Sequence, residues 1–262
     1  MGEQERLTSG AEFTPCTEAL IHAPMKRTKI GALDVVFTGG SDGDGGGDGS
    51  VLVLLHGFGA PGEDLVGLWR ALNVPRATRF VFPAALLSLA SEGYGPGRAW
   101  WRIDMMALQR GDKRLTTDVP VGLEEARAAV DAVLDHIETD WKVPASRIVL
   151  GGFSQGAMLS LDVSLRRKTS LAGVAILSGS MIAEAEWRAC LAIAPTPERP
   201  ATPVFQSHGN ADPLLPFAVS EALRDALRAA GRDVTWCPFR GGHEIPPPVL
   251  EGLGQFVSRV LG

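Results

Sequence analysis

A chain of 262 residues with 45 % hydrophobic side chains is long enough to build one large α/β domain around a sizeable core. Its net charge of -5, with 25 Lys and Arg scattered among 30 Asp and Glu, excludes a broad cationic face for nucleic acid. No apolar run approaches the roughly 20 residues of a membrane span, and the 3 cysteines Cys16, Cys190 and Cys237 lack the spacing of a disulfide framework or a zinc site.

The opening MGEQERLTSG has neither the apolar region of a signal peptide nor the Ser or Thr of a myristoylation signal, so a cytoplasmic protein is expected. Residues 1–30 read as an irregular N-terminal extension of a single domain spanning 1–262. After an apolar stretch at Ile30–Phe37 comes SDGDGGGDGS, Ser41 to Ser50. Its Asp42, Asp44 and Asp48 invite a calcium reading, but the glutamate and flanking helices of a calcium loop are missing. The stretch is expected to be a flexible hairpin loop leading to Val51–Leu55.

Four runs are apolar on successive residues: Val51–Leu55, Phe80–Phe82, Ile148–Leu150 and Val174–Leu177. Strands covered on both faces of a parallel sheet have this pattern. Helical spacing separates them. Leu123, Ala126, Val130, Val133, Leu134 and Ile137 form one stripe, and Val219, Leu223, Ala226 and Leu227 a second. A third carries Val249, Leu253, Phe256, Val257 and Val260 near the end of the chain. Alternating strands and helices predict a mostly parallel central sheet with helices on both faces. In such sheets ligands bind beyond the carboxyl ends of the strands, so reactive residues should fall just after an apolar run.

Ser154 meets that rule. Gly152-Phe153-Ser154-Gln155-Gly156 follows Ile148–Leu150, with Met158, Leu161 and Leu165 at helical spacing behind it. The pattern is G-x-S-x-G, in which small flanking residues allow a turn sharp enough to expose the hydroxyl. A serine hydroxyl needs a base. Among the 5 histidines, His22 lies in the irregular N-terminus and His136 on a helical stripe, while His56 and His208 end strands. His243, in GGHEI, follows Val234–Phe239 and comes after both the serine and a plausible acid, the order Ser, Asp, His. That acid is Asp212, in SHGNADP after Val204–Gln206. Asp162 lies on the helix leaving the serine, Asp233 starts a strand, and Glu244 adjoins His243 but points elsewhere. Oxyanion donors are expected from the backbone N–H of Gln155 and, in His56-Gly57-Phe58-Gly59, of Phe58. The long connection from Pro83 to Thr117 is too apolar for disorder. It predicts the wall of an acyl pocket: Trp100, Trp101, Met105, Leu86 and Leu87, with Leu214 nearby, although a loop-buried mini-core fits the same residues. The triplet Arg166-Arg167-Lys168 is read as a solvated helix end.

The stretches LLHGFG (54–59), RAWWRIDM (98–105), GGFSQGA (151–157), SHGNADPLLPF (207–217) and GGHEIP (241–246) together resemble the phospholipase/carboxylesterase family, the acyl-protein thioesterase-like branch of the α/β hydrolases. The resemblance runs from about Leu33 to the C-terminus. It implies an α/β-hydrolase fold, Ser154 as nucleophile, Asp212 as orienting acid, His243 as base, and Phe58 and Gln155 as oxyanion donors, with no metal or cofactor. Leu177-Ser178-Gly179-Ser180-Met181 and the added Gly/Asp loop depart from the family's thioesterase members. The leading expectation is therefore a serine carboxylesterase for short- to medium-chain, small-molecule esters. Thioesterase or lysophospholipase action on long acyl chains and a non-catalytic ligand-binding protein of the same fold are the alternatives.

Overall fold

The computed structural model describes residues 25–262, so Cys16, His22 and most of the expected N-terminal extension lie outside the described residues. The last part of that extension is regular rather than irregular. β1 (Lys26–Ile30) runs antiparallel to β2 (Leu33–Gly40), turned by Gly31 at φ 57°, a left-handed conformation that favours glycine. β1 is an edge strand whose exposed Lys26, Arg27 and Lys29 discourage pairing with another chain.

The Ser41–Ser50 stretch also departs from expectation. It contains β3 (Asp44–Gly46), paired parallel to the end of β2. Asp42 Oδ1 accepts the N–H groups of Asp44 at 3.0 Å and Gly46 at 2.8 Å, so the carboxylate that suggested a cation ligand serves its own backbone. Nor does the stretch close a hairpin. β2 pairs with β5 (Arg79–Ala84), and β5 separates it from β4 (Val51–Leu55).

The remaining elements follow in chain order. α1 (Leu68–Ala71) lies between β4 and β5, and β6 (Leu87–Ser88) pairs with β7 (Arg98–Ala99) in a small separate ribbon. Then come α2 (Met105–Gln109), α3 (Arg114–Thr117), α4 (Leu123–Thr139), β8 (Ile148–Phe153), α5 (Gln155–Arg166), β9 (Gly173–Leu177) and α6 (Glu184–Leu191). β10 (Val204–Gly209), α7 (Phe217–Ala229), β11 (Val234–Phe239) and α8 (Pro247–Leu261) complete the chain. The main sheet runs β1-β2-β5-β4-β8-β9-β10-β11, parallel from β5 to β11, with β3 beside β2. Among the described residues no helix is long and apolar enough to cross a membrane.

The unbroken apolar runs are explained by two cores. In β4, Val51, Val53 and Leu55 pack into the core beneath α4, α5, α6 and α7, while Leu52 and Leu54 face the core beneath α1 and α8. Successive strand residues point to opposite faces, so a strand covered on both sides must be apolar at every position. Each such side chain, taken out of water, contributes about 1.5–3 kcal/mol.

Arg167 overturns the reading of the basic triplet. Its guanidinium, 9 % exposed, donates to Asp131 at 2.6 Å and Asp135 at 3.0 Å and also pairs with Glu138, joining the end of α5 to α4. Arg166 pairs with Glu186 of α6 and donates at 3.0 Å to Asp162, which also accepts from Arg127 and from the Trp187 indole. Asp162 is thus committed to the helix layer. His136 stays on α4, 3.2 Å from Asp140.

Candidate active site

Four loops meet at the carboxyl edge of the sheet, after β4, β8, β10 and β11, and they carry Phe58, Ser154, Asp212 and His243, with Gln155 next to the serine at the start of α5. Between β8 and α5, Ser154 has φ 54° and ψ -116°, a conformation that costs a non-glycine residue about 1–3 kcal/mol. Its neighbours hold it there. Ser154 N–H donates to Leu177 O of β9 at 2.8 Å, and its carbonyl accepts Ala157 N–H at 3.0 Å and Met158 N–H at 3.1 Å. The glycines on either side are required by close approach. A Cβ on Gly152 would lie 2.5 Å from Gly156 C, and one on Gly156 would lie 2.2 Å from Leu55 O. The G-x-S-x-G spacing is therefore what lets β4, β8 and α5 touch beneath the serine.

His243 and Asp212 come together from different loops. His243 Nδ1–H donates to Asp212 Oδ2 at 2.6 Å, and the other oxygen of that carboxylate accepts Leu214 N–H at 2.8 Å and Leu215 N–H at 2.9 Å. Burial by itself would raise the Asp212 pKa; the His243 hydrogen bond and the Leu215 and Leu214 N–H groups outweigh it and hold the carboxyl below its usual range. Phe153 packs against the imidazole with ring centroids 4.7 Å apart. Glu244, the neighbour on the chain, accepts Gly242 N–H instead. His208, fully buried, donates from Nε2 to Leu215 O at 2.8 Å and lies 3.4 Å from Asp212 Oδ2, bracing the loop that presents the carboxylate. Burial lowers its pKa.

The loop after β4 crosses directly over the serine, for a Cβ on Gly57 would stand 3.4 Å from Ser154 Cβ. Phe58 is next in the chain, with Tyr94 edge-on to its ring at 5.5 Å. Gln155 opens α5, where N-terminal backbone N–H groups have no partner within the helix. Its side chain is tied to the same neighbourhood: Oε1 accepts Trp100 N–H at 2.9 Å and Nε2 donates to Trp101 O at 2.8 Å.

Ser154, His243, Gly57 and Phe58 line one cavity of about 530 Å³. Of the expected wall, Trp101, Met105 and Leu214 line it, and Trp100, Leu86 and Leu87 do not. Trp100 turns into the core, 2 % exposed, and its indole N–H donates to His56 O at 2.9 Å. Leu87 pairs with Ala99 in the small ribbon, and Leu86 is exposed. The wall includes residues that the sequence reading left out, among them Leu108, Leu115, Met158, Ile182 and Val219. Met158 had a detectable signal, since a residue four positions after Ser154 lies on the same helix face. The rest gather from separate elements.

The match of residues 47–261 to the family model described as Phospholipase/Carboxylesterase covers all of these loops. Acyl-protein thioesterase 1 of Neurospora crassa is 28 % identical over 218 residues, 81 % of this chain and 87 % of its own length. Acyl-protein thioesterase 1 of Mycosarcoma maydis is 30 % identical over 228 residues, covering 81 % and 91 %. The crystal structure of esterase PE8 superposes with a TM-score of 0.70 at 27 % identity, over 91 % of this chain and 100 % of that one. The chain belongs to the phospholipase/carboxylesterase family and is an α/β-hydrolase enzyme.

Proposed function

We propose that the protein is a serine hydrolase of carboxylic esters with short to medium acyl chains, acting through an acyl-Ser154 intermediate. The observation that carries this reading is a strained serine sharing a cavity with an imidazole whose far nitrogen is fixed by a buried carboxylate. With Nδ1–H engaged by Asp212, the proton acceptor is Nε2. His243 takes the Ser154 hydroxyl proton as Oγ bonds to the ester carbon. The resulting oxyanion is held by the N–H groups of Phe58 and Gln155. On collapse the carbon–oxygen bond to the alcohol breaks and His243 returns the proton to the leaving alcohol. Water then repeats the cycle, and the carboxylic acid leaves.

Asp212, kept ionised, stabilises the imidazolium that forms in each half. The volume of about 530 Å³ lies within the range of about 300–1,000 Å³ typical of small-molecule sites, and Leu108, Leu115, Met158, Ile182 and Val219 suit an acyl chain. A second reading, acyl-thioester hydrolysis, has support in the names of the fungal relatives. The same apparatus would serve it, with a thiolate leaving that needs less protonation.

Fluorophosphonate labelling followed by turnover of p-nitrophenyl esters from acetate to laurate tests the proposal. Labelling at Ser154, with turnover abolished in Ser154→Ala and greatest at intermediate length, is expected. Wild-type turnover in folded Ser154→Ala would refute it. Parallel acyl-thioesters of equal length decide between the two readings.

A further inference from the structure

His56 is 1 % exposed, lies in the loop that passes over Ser154, and has no step in the chemistry above. Its ring is held at both nitrogens. Ala85 N–H, at the end of β5, reaches Nε2 at 3.0 Å, and Nδ1 lies 2.8 Å from Gly57 O. An amide N–H can only donate, so Nε2 is the acceptor. In a neutral imidazole the other nitrogen then carries the proton, and Nδ1–H donates to Gly57 O. Burial pushes the imidazole pKa below its ordinary value, against the raising pull of the Gly57 hydrogen bond and of Asp64, which keeps the ring neutral.

The carbonyl of Gly57 and the N–H of Phe58 belong to one peptide unit, and there are no cis peptide bonds among the described residues. In a trans peptide the C=O and N–H point in opposite directions. Holding the carbonyl toward the His56 ring therefore turns the Phe58 N–H away from it. The neighbouring amides are already committed, Gly59 N–H to Arg98 O at 2.9 Å and Ala60 N–H to Gly57 O at 3.4 Å. The carbonyl of His56 in turn accepts the Trp100 indole N–H, and Trp100 N–H bonds the Gln155 side chain. One buried chain of hydrogen bonds thus links the two backbone segments expected to hold the oxyanion.

Building on the proposed esterase reading, we infer that His56 is a positioning residue for the oxyanion site: its neutral Nδ1–H tautomer sets the Gly57–Phe58 peptide so that Phe58 N–H faces the reacting carbonyl. The two isosteric amides separate its two hydrogen bonds. Asn places a donor where Nδ1 stands, and Gln places an acceptor where Nε2 stands. His56→Gln, which loses the Nδ1 donor, should lower kcat on p-nitrophenyl butyrate about 100-fold, the scale of losing one oxyanion donor, with KM little changed. A trifluoromethyl ketone, whose adduct carries the oxyanion, should lose affinity in parallel. His56→Asn should keep at least about a tenth of wild-type kcat, because Gly57 O keeps its donor.

Equal losses in the two variants at matched thermal stability, or wild-type kcat in His56→Gln, would overturn the inference. In case either variant fails to fold, long-range proton–nitrogen correlation NMR on the wild-type enzyme reads the tautomer directly. Nδ1–H at neutral pH supports the inference, and Nε2–H overturns it. Failure of Ser154 labelling in the wild type would instead strike the esterase reading itself, and this inference with it.

Discussion

Gly156→Ala adds one methyl group at the point where α5 meets β4. That Cβ would stand 2.2 Å from Leu55 O and 2.6 Å from His56 O, backbone atoms that no rotamer change can move aside. Ordinary van der Waals contact begins near 3.4 Å, so the first turn of α5 must withdraw by about 3.4 − 2.2 = 1.2 Å. Overpacking of this kind costs about 1–3 kcal/mol, and each kcal/mol lowers Tm by about 2–4 °C in a domain of this size. Activity should fall further than stability. Ser154 and the Gln155 N–H ride on that turn, and misplacing reacting groups by about 1 Å costs about 100-fold. The assay is kcat/KM on p-nitrophenyl butyrate, with fluorophosphonate labelling rate and calorimetric Tm on the same preparation. Gly67→Ala is the comparison, because Gly67 has φ -56° and nothing stands within 4 Å of its added Cβ. Replacing it should leave turnover unchanged and, if anything, raise Tm slightly. A Gly156→Ala enzyme with wild-type kcat/KM would refute the claim that this glycine is dictated by backbone contact beneath the serine.

Asp212→Asn should lower kcat about 10⁴-fold, the loss expected when the orienting acid of a Ser-His-Asp relay is neutralised. A drop under about tenfold would remove Asp212 from the relay. Val219→Trp, which fills part of the cavity, should shift the preferred acyl chain to shorter lengths while acetate turnover persists. An unchanged acyl-length profile would show that the chain binds elsewhere. Acid should weaken the fold through His56 and His208. Burial lowers both pKa values in the folded state, so below about pH 6.5 the unfolded chain takes up protons first. Stability from these two groups is complete above that pH and declines as the pH falls through their folded values. Calorimetric Tm should fall from pH 7.5 to 5, with a shallower slope in His208→Gln; equal slopes in wild type and variant would contradict the assignment.

The parallel sheet and the Ser154, Asp212 and His243 candidates were legible because each rests on local rules: unbroken apolar runs, helical stripes, and reactive residues just past strand ends. The cavity wall was legible only in part. Trp100 and Trp101 are consecutive and lie in a bend just after β7, so which of the two reaches the cavity depends on a local turn that the sequence does not specify. In the structure both are buried in the core, 2 % and 3 % exposed, and of the two it is Trp101 that also lines the cavity. Leu115 of α3, Val219 of α7 and Ile182 of the loop before α6 reach the cavity from separate parts of the chain, a convergence fixed by tertiary packing alone. The role of Arg167 has a signal in the sequence. Asp131, Asp135 and Glu138 recur at helical spacing on one face of α4, a ready-made acidic stripe for a guanidinium. β3 had none, since a strand of Asp-Gly-Gly contradicts β-propensity and persists through its pairing with β2 and the Asp42 turn.

The Ser41–Ser50 segment lies where β4 and β5 begin, whereas the cavity opens where strands end, so a sheet's length separates them. Asp48 at its tip is exposed. With Cys16, Cys190 and Cys237 replaced by serine, a cysteine introduced there would let the enzyme be anchored to a bead or electrode with its entrance turned toward the bulk liquid, giving an oriented catalyst from a single conjugation site.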